Sequence, residues 1–241
     1  MESVFCIQSE LNPLLLEAFE LIKNRINSLT DLEPLYIDPL WSRIYSKPNE
    51  EKLFIVNEFY QAKGFRKIHL VVAKLGKSLE ILHCVFFPDP CYDLPIFGAD
   101  LVVNSNNISA GIVDLSPVGK HLPDCLISQM RSLKVSKFTE PGKLPEWGFI
   151  FSPYVAFIRP VDFLEEKSFL ELIDQYLSLL LSLLVKVQKD EINSLDAMCR
   201  LNYQKRYCLY QKRNDKTRGI LTKFFGSSWA DEYINKILFE C

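Results

Sequence analysis

Glycine and histidine are both scarce in this sequence of 241 residues, which has nine glycines and three histidines. It contains neither of the glycine-rich phosphate-binding patterns, GxGxxG and GxxxxGK[ST], and it lacks the GxSxG pattern of serine hydrolases. The three histidines, His69, His83 and His121, are not spaced as metal ligands on one helix. The sequence therefore argues against a glycine-loop nucleotide fold and against a metal site.

Paired cysteines are missing as well. The seven cysteines are odd in number, and no two of them form a C-x-x-C pair. This pattern favours free thiols in a reducing compartment over disulfides, zinc or an iron–sulfur cluster. The first residues have neither the basic region nor the apolar core of a signal peptide. We therefore expect a cytoplasmic protein.

Long apolar runs and an excess of one charge are also absent. The most apolar stretch, residues 176–185, is far shorter than the roughly 20 residues of a membrane span, so we expect a buried helix there and no membrane association. The net charge of −2 gives no indication of nucleic-acid binding. A composition of 48% hydrophobic and 24% charged residues is typical of a globular chain, which we read as one domain over residues 1–241. Because heptads are absent, we expect a monomer.

The order of elements predicts the fold class. Five strand-like segments follow one another with connections too short for crossover helices, so the strands must pair antiparallel. Helical periodicity dominates the last third of the chain, which predicts an α+β layered sandwich around one antiparallel sheet. The predicted strands are residues 53–56, 67–72, 79–87, 96–103, 108–114 and 149–158, and the predicted helices are residues 13–26, 122–133, 163–187, 190–213, 215–226 and a last one capped by Ser228.

Three titratable residues lie in consecutive predicted strands, among apolar neighbours. They are His69, His83 and Asp100, and such groups are either proton donors or hydrogen-bonded core residues. A two-residue hairpin loop would pair His83 with Leu70 and place His69 on the opposite face. A three-residue loop would pair His83 with Val71 and place both histidines on one face. The sequence leaves this register open.

Residues 200–223, termed the basic segment below, contain eight basic residues and one acidic residue. Such a segment is either a solvated helix surface or a docking surface for an acidic partner, and the size of the excess favours docking. If the helical phase were continuous, four lysines would share one face: Lys205, Lys212, Lys216 and Lys223.

Three stretches of this sequence resemble the ferredoxin-dependent bilin reductases, and most of all their phycocyanobilin-forming members. They are FRKIHLVVAKLGKSLEILHCVFFPDPCYDLPIFGADLV with ISAGIVDLSP within residues 65–117, LPEWGFIFSPYVAFIRP at 144–160, and QKRNDKTRGILTKFFGSSWADEYINKILFE at 211–240. The resemblance implies a three-layer α/β/α sandwich with helices on both faces of the sheet. It also implies an oxidoreductase acting on CH–CH groups, which reduces biliverdin IXα to phycocyanobilin through radical intermediates. An acidic [2Fe-2S] ferredoxin would supply the electrons, with no bound cofactor and no metal.

The resemblance also assigns roles to individual positions. Asp100 matches the proton donor of the family, His83 its partner and His69 a supporting histidine, which makes these three the expected catalytic residues. We expect the docking surface for ferredoxin within the basic segment, at Lys205, Arg206, Lys212, Arg213 and Lys223. The matched or neighbouring substrate-binding positions are Val71, Ser109, Lys143, Asn214, Asp215 and Lys216, of which the last three belong to a C-terminal loop over the pocket.

The sequence departs from the family pattern at two of these positions. Val71 stands where phycocyanobilin-forming members have a glutamate that we associate with protonation of the D-ring vinyl group, and Lys143 is one place away from an expected basic residue. Valine cannot donate a proton. Either a water relays protons from His69 or His83 and phycocyanobilin still forms, or the product is phycoerythrobilin or a dihydrobiliverdin. A non-catalytic bilin-binding protein is a further alternative, but binding alone does not require Asp100 and His83.

Overall fold

The fold was obtained as a computed structural model, which describes residues 11–46, 53–76, 79–104, 107–134 and 137–240. Within these residues, eight strands form one antiparallel sheet, ordered β1-β3-β4-β5-β6-β7-β8, with β2 pairing beside β1 on the same edge of β3. The strands are β1 Glu33–Pro34, β2 Arg43–Tyr45, β3 Leu53–Ala62, β4 Phe65–Leu75, β5 Leu79–Pro88, β6 Ile96–Asn104, β7 Asn107–Ser116 and β8 Ala156–Ile158.

The register of the β4–β5 hairpin agrees with the three-residue loop. Val71 lies opposite His83, and Leu75 lies opposite Leu79 at the end of the ladder. The loop residues 77 and 78 are outside the described residues. Because a shift of one residue would turn every side chain of a strand to the other face, this register decides which residues form the site.

The sixth predicted strand is mostly wrong. Only Ala156–Ile158 pairs with the sheet, and Gly148–Ile150 forms a 3-10 turn instead. The backbone N–H of Phe151 bonds to Gly148, and that of Ser152 bonds to the carboxylate of Asp114. These donors are therefore not free to extend a strand ladder.

The helices follow the sequence prediction closely, except at the C-terminus. Helix α1 begins as predicted, with the side chain of Asn12 accepting the N–H of Leu14. The predicted cap at Ser228 is wrong, because Gly226 with φ of 86° precedes the helix and no side chain caps it. The helices are α1 Pro13–Asn27, α2 Asp124–Ser132, α3 Phe163–Lys186, α4 Leu195–Gln211, α5 Asp215–Phe225, α6 Ser227–Glu232 and a π-helix Tyr233–Leu238.

The helices cover both faces of the sheet, so the fold is the expected α/β/α sandwich. On one face, α1 and α3 bury side chains such as Ile22 and Phe169 against the strands. On the other face, Val71 and Val85 pack with residues of α4, α5 and the π-helix, among them Tyr207. The C-terminal helices therefore cover the face of β4 and β5 that carries Val71 and Val85.

Helix α3, Phe163–Lys186, extends well beyond the apolar stretch of residues 176–185. By length and composition alone, Phe163–Lys186 could cross a membrane, and 44% of its most apolar window is buried inside the protein. Its buried side chains include Phe169, Ile173 and Leu177, and Asp174 pairs with Arg25 of α1 at 2.7 Å. These contacts are those of a core helix.

One cysteine departs from the free-thiol prediction. Cys84, Cys91, Cys125 and Cys199 are free thiols, whereas Cys208 is disulfide-bonded. The prediction relied on an odd count and on sequence spacing, neither of which excludes a disulfide, and the two remaining cysteines, Cys6 and Cys241, lie outside the described residues.

Candidate active site

A row of four residues crosses the sheet on the face covered by the C-terminal helices. Asn57, Val71, His83 and Asp100 lie directly opposite one another on β3, β4, β5 and β6. Opposite residues in an antiparallel ladder share a face, and so do residues two apart on one strand. His69, two residues before Val71, therefore shares this face, and the three predicted titratable residues come together.

His83 and Asp100 form a close pair. The His83 Nδ1 atom lies 2.5 Å from Asp100 Oδ1, which is within hydrogen-bonding distance. The Asp100 side chain is 43% exposed, whereas that of His83 is 17% exposed. Asp100 therefore lies at an accessible edge of the row and is not enclosed by its apolar strand neighbours.

His69 is wholly buried and has a different set of partners. Its Nε2 atom lies 2.8 Å from Asn57 Oδ1, and the hydroxyl of Tyr233 donates to the same oxygen at 2.6 Å. The amide nitrogen of Asn57 donates to the carbonyl of Trp41 at 2.7 Å. The ring of Phe59 stacks on the imidazole, with centroids 4.3 Å apart. Fixed partners thus surround His69, whereas Asp100 faces outward.

The electrostatic surroundings of His69 disfavour its charged form. Its pKa is well below the ordinary value because the ring is buried, and because the positive charge of Lys67 and the His83 ring oppose protonation. Lys67 is itself buried and donates to the carbonyl of Ile237 at 2.6 Å. Burial lowers the pKa of this lysine to about 8. We conclude that His69 is neutral at physiological pH.

The C-terminal π-helix lies over the end of the row at Asn57, beside His69, and this end is termed the histidine end below. Tyr233 bonds to Asn57, Ile237 accepts from Lys67, and the ring of Phe239 lies edge-on to His83 with centroids 6.0 Å apart. π-helical turns are frequent at functional sites. Asn57, Lys67 and Tyr233 were not among the site residues predicted from the sequence. Asn57 interrupts the apolar alternation of its strand and could have been noticed, but nothing local marks Tyr233, which is 176 positions away from Asn57.

Val71 presents an apolar surface beside His83. Its side chain is buried and packs in the cluster that also contains Phe59, Val85 and Tyr233. It carries no proton, so the departure noted in the sequence is a real feature of this face.

Tyr207 of α4 covers the end of the row formed by His83 and Asp100, which is termed the aspartate end below. A Cβ atom at Gly98, two residues before Asp100, would lie 3.3 Å from the Tyr207 hydroxyl, so glycine permits this close approach. Burial raises the pKa of Tyr207, with smaller contributions from the carboxylates of Asp100 and Asp114. The phenol therefore keeps its proton, and no local sequence pattern marks this residue as part of the site.

Asp114 is a second carboxylate on the same face, fully buried on β7. It accepts hydrogen bonds from the hydroxyls of Ser116 and Ser152, at 2.6 and 2.5 Å, and from the backbone of Ser152. Burial raises its pKa to about 6 despite these donors. These bonds fasten the 3-10 turn, and hence the segment containing Trp147, to the sheet.

The remaining predicted substrate-binding residues lie at the periphery. The exposed Ser109 donates to the carbonyl of Val102 at 3.0 Å, and Lys143 is exposed in an irregular segment. Asn214 caps α5 by accepting the N–H groups of Lys216 and Thr217. The expected loop is therefore a helix start, with Asp215 and Lys216 exposed in its first turn. Within the described ranges, no group of three or more His, Cys, Asp or Glu side chains could hold a metal ion.

The basic segment is divided by a turn at residues 212–214, between α4 and α5. The continuous helical phase that would align its lysines is therefore absent. Arg206 lies over the rings of Phe149 and Tyr210, at 5.2 and 5.9 Å, and Arg213 lies 4.5 Å from the ring of Tyr210. Of the predicted docking residues, Lys205, Arg206, Arg213 and Lys223 are exposed and Lys212 is partly buried.

Comparison with known proteins places the chain in a family. The family model described as ferredoxin-dependent bilin reductase matches residues 19–240. Phycocyanobilin:ferredoxin oxidoreductase of Prochlorococcus marinus (strain MIT 9313) is 46% identical over 230 residues, which cover 95% of this chain and 87% of the relative. The protein of the same name from Synechococcus sp. (strain CC9902) is 44% identical, with coverage of 96% and 94%.

A solved structure supports the fold. The crystal structure of phytochromobilin synthase from tomato, in complex with biliverdin, has a TM-score of 0.72 and 22% sequence identity, and the match covers 94% of this chain and 81% of that one. The layered antiparallel sheet, the matched family model and the long, similar relatives agree. The chain belongs to the ferredoxin-dependent bilin reductases.

Proposed function

We propose that the protein reduces biliverdin IXα to phycocyanobilin, with electrons from a reduced, acidic [2Fe-2S] ferredoxin. The observation that carries this proposal is the His83–Asp100 pair, 2.5 Å apart on the same sheet face as His69. The relatives named phycocyanobilin:ferredoxin oxidoreductase support the choice of substrate and electron donor.

The bilin would lie between this sheet face and the C-terminal helices, in contact with the accessible carboxylate of Asp100. Once covered by the apolar tetrapyrrole, the carboxylate would lose solvent, which favours its protonated form. Asp100 could then donate a proton to the reduced bilin, and His83, hydrogen-bonded to it, could supply the replacement. Because Asp100 is partly exposed, its carboxyl group can contact a bound ligand and donate a proton to it.

Electrons would pass directly from ferredoxin to the bilin, without a bound cofactor. A conjugated tetrapyrrole can hold an unpaired electron, so the reaction would proceed through bilin radicals, each followed by protonation from the protein. The exposed basic residues Lys205, Arg206, Arg213 and Lys223 are suited to guide an acidic ferredoxin to the C-terminal helices.

Val71 affects which product forms, because valine cannot donate the proton needed to reduce the D-ring vinyl group. We favour a water that relays protons from His83 to the vinyl group, because the buried Nε2 of His83 has no hydrogen-bond partner among the described residues and could bond to such a water. The buried Nδ1 of the neutral His69 would orient this water as an acceptor and has no proton to give. Substitution Val71→Glu should then speed vinyl reduction. A folded Val71→Glu protein with the wild-type rate and product would show that the vinyl proton does not come from this position.

Anaerobic incubation with biliverdin and reduced ferredoxin tests the proposal, with the product identified by chromatography and absorption. We expect phycocyanobilin. If phycoerythrobilin or a dihydrobiliverdin forms instead, the protein is still a bilin reductase but the proposed product is wrong. Bound but unreduced biliverdin would overturn the enzymatic function in favour of a bilin-binding protein.

A further inference from the structure

Asn57 is held in one orientation by the carbonyl of Trp41 on one side and the hydroxyl of Tyr233 on the other. The carbonyl of Trp41, 2.7 Å away, can only accept, so the amide nitrogen of Asn57 must face it. The amide oxygen then faces Tyr233 and His69, at 2.6 and 2.8 Å. Burial raises the pKa of Tyr233, so its hydroxyl remains a donor to this oxygen.

This orientation decides which nitrogen of His69 carries the hydrogen. An amide oxygen cannot donate, so a hydrogen bond at 2.8 Å requires a hydrogen on His69 Nε2. Because His69 is wholly buried next to the cation of Lys67, the ring stays neutral and has only this one hydrogen. The Nδ1 atom is then a bare acceptor, and it is buried without a hydrogen-bond partner in the described part of the protein.

We propose that Asn57, fixed by Trp41 and Tyr233, is a positioning residue that keeps the hydrogen of His69 on Nε2 and so reserves Nδ1 as an acceptor for a hydrogen-bond donor in the bilin pocket. This inference rests on the proposed function and divides its proton chemistry. The Asp100–His83 pair donates, whereas His69 accepts from a bilin N–H group or from a water beside the bilin. His69 then orients the reacting groups without being protonated itself.

The tautomer can be measured without turnover. In ligand-free protein labelled with ¹⁵N-histidine, we expect the His69 resonances to show a protonated Nε2 and a bare Nδ1 from pH 6 to 8. On addition of biliverdin, the Nδ1 resonance should shift as it accepts a hydrogen bond. If the spectra show the hydrogen on Nδ1, or a doubly protonated ring, the inference is wrong even if the enzyme reduces biliverdin normally. A shift that requires biliverdin's N–H groups would disappear with an N-methylated bilin, whereas a water partner would retain it.

Substitution Asn57→Asp provides the functional test. The carboxylate would stabilise the imidazolium form of His69, so both nitrogens would carry hydrogens and Nδ1 would no longer accept. Loss of a histidine's correct tautomer lowers turnover by about 10⁴-fold in a serine protease triad, and we expect a loss of at least about 10-fold here.

The pH profile separates this effect from a structural defect. Lys67 and Tyr233 face His69 from β4 and the π-helix, and His83, with Asp100 beyond it, faces His69 from β5. Turnover of the Asn57→Asp protein should recover as pH rises and His69 loses its extra proton, a limb that the wild type lacks. A uniform loss at every pH would overturn the positioning role.

Asn235→Asp is the matched control. It makes the same chemical change on the π-helix, but at an exposed side chain whose amide donates to the carbonyl of Asp231 at 2.8 Å. It should leave the His69 resonances and the pH profile unchanged. If Asn57→Asp unfolds the protein, Tyr233→Phe supplies the second variant: it removes one donor to Asn57 and should keep the tautomer with a smaller loss of turnover. A His69 hydrogen that moves to Nδ1 in Tyr233→Phe, where Asn57 is still present, would overturn the inference, and so would a doubly protonated ring in the wild type.

Discussion

The two ends of the active-site row differ in how firmly their protons are held. At the histidine end, His69 is wholly buried, bonded through Asn57 to Tyr233 and placed beside a buried lysine. At the aspartate end, the His83–Asp100 pair shares a hydrogen bond, and the Asp100 side chain is 43% exposed. A buried group with fixed partners has one protonation state. A pair in contact with solvent, in contrast, can take up a new proton from water after it has donated one. We therefore expect protons to enter the reaction at the aspartate end.

Removing the transferable proton at the aspartate end should have the largest effect. Asp100→Asn keeps the shape of the side chain but cannot act as an acid, so turnover should fall by roughly 10²–10⁴-fold. Biliverdin binding, measured by absorption titration, should change little. Asp124→Asn, at an exposed position in α2, is the control and should turn over normally. Wild-type turnover in Asp100→Asn would remove the aspartate end from the proton chemistry.

Charge reversal in the basic segment should slow the supply of electrons and leave both ends of the row intact. Changing Lys205, Lys212 and Lys223 to glutamate should lower ferredoxin-driven turnover about 10-fold at low salt and flatten its salt dependence, because charge pairs across such a surface act mainly on encounter. Biliverdin affinity should stay the same.

The control for this reversal is an equal change elsewhere. Lys63, Lys120 and Lys134 are exposed and lie outside the basic segment, and their reversal to glutamate alters the net charge by the same amount. If both triple variants lose turnover equally, overall charge and not a local dock governs the encounter with ferredoxin.

A smaller effect is expected at the histidine end, where the buried Lys67 should make the free energy of unfolding depend on pH. Its pKa is lowered from 10.5 to about 8 in the folded protein. The unfolded chain therefore binds more protons between these values, and the free energy of unfolding should rise with pH across that window. Lys67→Met should remove up to one proton's share of this slope, roughly 1.4 kcal/mol per pH unit. Urea unfolding of both proteins between pH 7.5 and 10 measures it, and equal slopes would show that Lys67 is not buried as a charge.

How much of this site the sequence could predict depends on the range of the interactions. The alternation within β4 to β6, and the resemblance to the bilin reductases, led to His69, His83, Asp100 and Val71, because strand patterns are local. The register that puts both histidines on one face depended on a loop of two or three residues, which the sequence left open. Tyr233 reaches Asn57 from the other end of the chain, so no local pattern could reveal it. The predicted strand at residues 149–158 was mostly wrong for a similar reason, because the backbone N–H of Ser152 donates to the distant carboxylate of Asp114.

The central claim is that the aspartate end supplies the proton that follows an electron. The most direct measurement adds one electron per protein from reduced ferredoxin to the biliverdin complex, freezes samples at successive times and records electron paramagnetic resonance and absorption spectra. We expect the bilin radical to decay to reduced products in the wild type and to accumulate in Asp100→Asn. A radical that decays at the same rate in both proteins would contradict the account.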